Sequence, residues 1–149
     1  MAKDEEKSIE KEYKFLQDNI KGLPEYDLLN FEFEIETLEA NDFILRNILK
    51  KVMDRYDSIL KYLEELLQPE GSVSALYECT CFDEQGKKEI FDLYKKLMIY
   101  HRRASWILIE TDDKNIAQYL SDLLAEWQSI KDRTAAIIKK VEDAWKKDS

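Results

Sequence analysis

The chain has 149 residues, the size of one ordinary domain, and contains only three glycines and two prolines. It is 44% hydrophobic and 37% charged, a mixture typical of amphipathic helices, whereas strands need more frequent turns. Thirty-two acidic and 23 basic residues give a formal net charge of −9, which disfavours nucleic acid and anionic lipid as partners. The amino terminus has no apolar signal region, and no apolar run approaches the roughly 18 residues of a membrane span. We therefore expect a cytoplasmic protein that does not enter a membrane.

Apolar residues recur at intervals of three and four along most of the chain, and this spacing predicts four helices. The first covers residues 4–21, because Gly22 suits the position after a helix end and Pro24 prevents its continuation. Its stripe consists of Ile9, Tyr13, Leu16, Ile20 and Leu23.

The second predicted helix covers residues 25–67. Every residue of its stripe except Asp42 is apolar: Leu28, Phe31, Ile35, Leu38, Asp42, Leu45, Leu49, Val52, Tyr56, Ile59, Leu63 and Leu66. Because the spacing continues across Asn41 and Asp42, we predict one uninterrupted helix. The alternative is a break there, with Asn41 or Asp42 as the N-cap. Pro69 and Gly71 end the helix in either case.

Residues 69–83 show neither a helical nor a strand period, and we interpret them as a connector with room for one short helical turn. Carboxylates at Asp83 and Glu84 favour the start of a third helix, residues 83–110. Asp112 can cap the fourth helix, residues 113–147, and the short link predicts an antiparallel hairpin. The length of the fourth helix places its last turns, with Val141 and Trp145, over the connector.

These elements predict an all-α protein: an up-and-down bundle of about four long helices with heptad-like seams, forming a single domain over residues 1–149. Two polar residues interrupt the seams. We expect water, Thr111 or a helix end to satisfy Asp42, with a functional carboxylate as the alternative. His101, the only histidine, is expected beside Tyr56 and to be satisfied by Tyr56 or water; the alternative is a pH-sensitive switch.

Cys79 and Cys81 lie too close in sequence to join distant elements, so we expect free thiols. A C-x-C pair lacks the C-x-x-C spacing of zinc knuckles, and a metal site here would need thiolates from two chains.

Five polar residues near the connector form a pattern of acids on two helices: Glu64, Glu65 and Gln68, then Glu89 and Asp92. This pattern resembles the E-E-x-x-E and E-x-x-D acids of the MazG-like pyrophosphohydrolase family. The resemblance implies magnesium held between helices and hydrolysis of nucleoside triphosphates. Gln68 stands where the family has a third acid, which would remove one anionic ligand for the metal.

The end of the third predicted helix, RRASWILIE, spreads apolar residues around the whole helix. Ile99, Arg103 and Trp106 fall on the side opposite His101, where either another part of this chain or another chain covers them. Trp and Arg dominate interface energies. We therefore expect a non-enzymatic helical protein that binds a protein partner or forms a homo-oligomer, with a MazG-like hydrolase as the alternative. No catalytic, cofactor-binding or metal-binding residue is assigned.

Overall fold

The computed structural model describes residues 8–40 and 43–147. All regular secondary structure within these ranges is helical, which confirms the predicted all-α class. The elements are α1 (Ile9–Asn19), α2 (Tyr26–Phe33), a 3₁₀ turn (Ile35–Thr37), α3 (Ile44–Leu67), α4 (Val73–Cys79), α5 (Glu84–Glu110) and α6 (Asp113–Lys147). Three of these helices are long, with 24, 27 and 35 residues, so the expectation of about four long helices is met only in part.

Helices α5 and α6 agree with the third and fourth predicted helices to within one residue at each end. Their starts are capped by the predicted carboxylates. Asp83 Oδ1 accepts a hydrogen bond from the backbone N–H of Gly86 at 2.7 Å. Asp112 Oδ1 accepts one from the backbone N–H of Lys114 at 2.9 Å. Thr111 has a left-handed backbone, with φ of 57°, and its N–H bonds the carbonyl of Ile107. This reversal leaves only two residues between the end of α5 and the start of α6.

Helix α1 begins after Ser8 and ends at Asn19, and the predicted start at residue 4 lies outside the described residues. Gly22, at the predicted stop, has a φ of +95°, a conformation that glycine adopts without steric cost. Two of the stripe residues, Ile9 and Tyr13, are buried within the helix, and Leu23 is buried just beyond it.

The prediction of one uninterrupted helix over residues 25–67 is wrong. The first break comes at Glu34, which has a left-handed φ of 54° and caps α2 through its N–H to Asn30 O. The Asn30 side chain then accepts the N–H of Glu36 at 2.9 Å, giving the backbone a partner other than the helical carbonyl. The break suggested at Asn41 and Asp42 lies outside the described residues, and so does the predicted environment of Asp42.

The break also changes which residues of α2 are buried. Leu28 and Phe31, which the stripe placed in the seam, are exposed, whereas Leu29 and Phe33 are buried. Ile35 is fully buried as predicted, although it lies in the 3₁₀ turn rather than in an α-helix. From Leu45 onward the predicted stripe and the buried face of α3 agree, except that Ile59 is half-buried. Regular apolar spacing in residues 28–38 therefore did not mean continuous helix.

The chain divides into two compact units, each containing parts of α3, α5 and α6. The first comprises Met1–Arg55 and Arg102–Ala125. In its core, the buried Tyr13 donates its hydroxyl to the carbonyl of Pro24, and its ring lies 5.8 Å from that of Tyr26. Burial, reinforced by the charge of Glu25, raises the pKa of Tyr13. The single-domain expectation stays a prediction.

The second unit comprises Tyr56–His101 and Glu126–Ser149. Lys96 and Tyr100 of α5 both donate to the carboxylate of Glu126 on α6, the lysine at 2.6 Å. The ammonium group of Lys140 lies 5.1 Å from the ring centre of Phe82. Glu126 contacts the middle of α5, whereas Lys140, further along α6, contacts Phe82 just before α5 begins. These contacts agree with an antiparallel arrangement of α5 and α6 in this unit.

The connector contains a two-turn helix, α4, rather than a single turn, and Ser72 caps it by accepting the N–H of Ala75. The end of α6 contacts this helix as predicted, because the ring of Trp145 lies 4.3 Å from that of Tyr77. No helix in the described part of the chain is long and apolar enough to span a membrane.

Candidate functional site

The outward face of α5 is the surface that the sequence singled out. Ile99 and Trp106 lie on this helix seven residues apart, at 60% and 44% exposure. Ile109, three residues beyond Trp106, is 83% exposed. Residues three, four and seven apart share a helix face, so these side chains form one apolar line on α5. The set predicted from the sequence omitted Ile109, although its spacing from Trp106 was the available signal.

Arg103, the third predicted partner-binding residue, is half-buried and bound within the chain. Its Nη1 lies 2.8 Å from Asp122 Oδ2 of α6, and its guanidinium lies 5.5 Å from the ring centre of Tyr119. The half-exposed pair contributes on the order of 0.2–1 kcal/mol. Arg103 therefore borders the apolar line of α5 while its charged end contacts α6.

The charge of α5 differs from that of the whole chain. The helix contains six lysines and arginines and four acids, although the protein has a net charge of −9. The largest excess of acids is in residues 1–43, which contain 13 acidic and five basic residues. Lys96 and Arg103 are paired with Glu126 and Asp122 of α6, so α5 carries little further net charge, and its outward face can bury apolar area.

The acids of the MazG-like pattern lie in solvent. Glu64, Glu65, Glu89 and Asp92 are all exposed, and Glu64 accepts a hydrogen bond from the Tyr94 hydroxyl at 3.3 Å. Within the described ranges, no group of three or more His, Cys, Asp or Glu side chains is placed to hold a metal ion.

The remaining residues noted in the sequence lie in the second unit. His101 is half-buried, and its ring meets that of Tyr56 edge-on at 6.5 Å, beside the tyrosine where it was expected. Cys79 and Cys81 are half-buried cysteines that form no disulfide bond. The Cys81 thiol lies 3.9 Å from the carbonyl oxygen of Tyr77, as a weak donor. His101 therefore contacts an aromatic ring, and Cys81 contacts a backbone carbonyl.

Comparison with known proteins gives this chain no relative. No protein-family model, curated protein or solved structure matches it. The functional argument therefore rests on the residues of this chain alone.

Proposed function

We propose that this chain is a helical interaction protein that associates with a second copy of itself through the outward face of α5. The observation that carries the proposal is the exposure of Trp106 and Ile109, two large apolar side chains three residues apart on α5. Exposed large apolar side chains lose contact with water when a second chain covers them, at about 25 cal/mol for each Å² buried.

The charge of α5 does not oppose a second copy as the occupant. Two chains of net charge −9 repel each other, and the repulsion is smallest for a contact through a part of the chain that carries little net charge, as α5 does. Trp106 is the expected anchor, because tryptophan is enriched among residues that dominate interface energies.

The proposal is tested by measuring the mass in solution over a range of concentrations. We expect a species larger than the 17.8 kDa monomer that dissociates on dilution. Trp106→Asp should shift the protein to monomer with unchanged helical circular dichroism, because it places a charge in the contact. A wild-type protein that stays monomeric at all concentrations overturns the proposal, whether or not it binds another protein.

Two further variants separate loss of association from loss of fold. Ile109→Asp changes a side chain that is 83% exposed, so it tests the same face without entering the core. Val73→Asp is the matched control, because Val73 is also a largely exposed aliphatic residue but belongs to α4 rather than α5. If Val73→Asp dissociates the protein as strongly as Ile109→Asp, the contact is not specific to α5.

A further inference from the structure

A groove in the second unit lies between the end of α6 and residues of α3 and α4. It has a volume of about 590 Å³, is open to solvent, and is lined mainly by apolar surface. The lining residues are Tyr62, Glu78, Ile138, Val141, Glu142, Trp145 and Lys146. This volume is within the range of about 300–1,000 Å³ that is usual for small-molecule sites.

Glu78 places a carboxylate in this apolar groove. Its Oε2 accepts a hydrogen bond from Trp145 Nε1 at 2.8 Å, and its Oε1 accepts one from the Tyr62 hydroxyl at 3.3 Å. Both donors are uncharged, so they orient the carboxylate without neutralising it. A carboxylate has about four acceptor positions, which leaves it able to accept further hydrogen bonds from a ligand.

Trp145 is held in place by α4 on one side. Its ring contacts Tyr77, and the Tyr77 hydroxyl donates to the carbonyl oxygen of Ala144 at 3.1 Å. With 44% of its surface exposed, Trp145 still presents part of its indole to the groove. An indole face attracts cations, and tryptophan does so best among the aromatic residues.

The charges at the groove favour a positively charged ligand. Lys146 lies 3.8 Å from Glu142, so these two groups compensate each other and Glu78 supplies the excess negative charge. Burial, together with the charge of Glu78 and its hydrogen bond, raises the pKa of Tyr62 to about 12. The phenol can therefore donate to Glu78 up to a higher pH than an ordinary tyrosine could.

We infer that this groove binds a small organic cation with an apolar substituent, such as an arylalkylammonium, with Glu78 as counter-ion and Trp145 as the aromatic contact. The apolar substituent packs on Ile138 and Val141, while the ammonium group contacts the remaining acceptor positions of the Glu78 carboxylate and the exposed part of the Trp145 indole. This inference is independent of the self-association through α5, because it uses none of the residues of that face.

The test compares three ligands with one scaffold: phenethylammonium, the neutral phenethyl alcohol and the anionic 3-phenylpropionate. Each is titrated into the full chain while the tryptophan indole N–H signals are followed by NMR, with Trp145→Phe and Trp106→Phe used for assignment. We expect the cation to bind about tenfold more tightly than the alcohol, and the anion most weakly. The Trp145 signal should shift and the Trp106 signal should stay. Equal affinities for the three ligands, or shifts shared equally by the two tryptophans, overturn the inference.

Glu78→Gln removes the charge and keeps an oxygen that can accept from Trp145. It should weaken phenethylammonium binding about tenfold and leave the affinity for the alcohol unchanged. Glu89→Gln is the matched control, because it removes the same charge from an exposed position on α5. If both variants weaken the cation equally, or neither does, Glu78 is not the counter-ion. If Glu78→Gln does not fold, the three-ligand comparison on the wild-type chain decides.

Discussion

Trp106 and Trp145 are equally exposed, at 44% each, yet they occupy different surroundings. Trp106 lies in an apolar line along one helix face. Trp145 lies in a groove, where its indole N–H is bound by Glu78 and its ring is packed on Tyr77. An exposed apolar line suits a contact with another chain, whereas an open groove that contains a carboxylate suits a small ligand. The exposed fraction of a surface tryptophan therefore does not distinguish a residue suited to a contact with another chain from one suited to a ligand site.

The largest expected difference between the two regions is in stability. We expect Trp145→Ala to lower the free energy of unfolding by about 2 kcal/mol, because it removes an aromatic pair, a hydrogen bond to a carboxylate and part of a buried surface. Trp106→Ala should cost about 1 kcal/mol or less at a concentration where the chain is monomeric. Urea unfolding followed by circular dichroism measures both. Equal costs would show that the contacts around Trp145 add little stability.

Removing the carboxylate should have the next largest effect. Glu78→Ala leaves the Trp145 indole and the Tyr62 hydroxyl without their acceptor, and we expect a loss of about 1 kcal/mol in the same urea experiment. Glu65→Ala serves as the control, since Glu65 is an exposed glutamate within α3 and its replacement should change stability by less than about 0.5 kcal/mol. A loss no larger than that of the control contradicts a structural role for Glu78.

The raised pKa of Tyr62 predicts a dependence on alkaline pH. Its pKa is about 12 in the folded chain and 10.0 without these surroundings, so the folded state favours the protonated phenol. The stability from this group is complete below pH 10 and is lost as the pH rises toward 12. Tyr62→Phe should therefore reduce the loss of stability over that interval. Urea unfolding of both proteins at several alkaline pH values measures it, and parallel pH curves would refute the assignment.

The smallest effect is expected near Trp106, at the pair of Arg103 and Asp122. Arg103→Ala should lower the free energy of unfolding by about 0.5 kcal/mol, because partly exposed ion pairs contribute little. A double-mutant cycle with Asp122→Ala isolates the pair from the contact with Tyr119. A coupling energy above about 2 kcal/mol would show that this part of α5 is fixed from within the chain, contrary to its expected role at an interface.

The sequence predicted the helical class and the limits of α5 and α6, because apolar residues recur at intervals of three and four along both helices and each helix start carries a capping carboxylate. It also predicted that Trp145 lies over the connector, since helix length fixes how far a helix extends. It failed in residues 25–38, where the same spacing continued across a real break. The sequence shows an asparagine at position 30, but it does not show that this side chain accepts a hydrogen bond from the N–H of Glu36.

The two candidate surfaces also differ in how far the sequence predicts them. Apolar residues on the outer side of α5 follow from helical periodicity, so the sequence by itself determined that Ile99 and Trp106 share a face. The groove depends on Glu78 meeting Tyr62 and Trp145, which are 16 and 67 residues away along the chain. Periodicity describes neighbours within one helix, whereas hydrogen bonds between helices depend on how those helices pack. Only the tertiary structure decided that a carboxylate and an indole would line one groove.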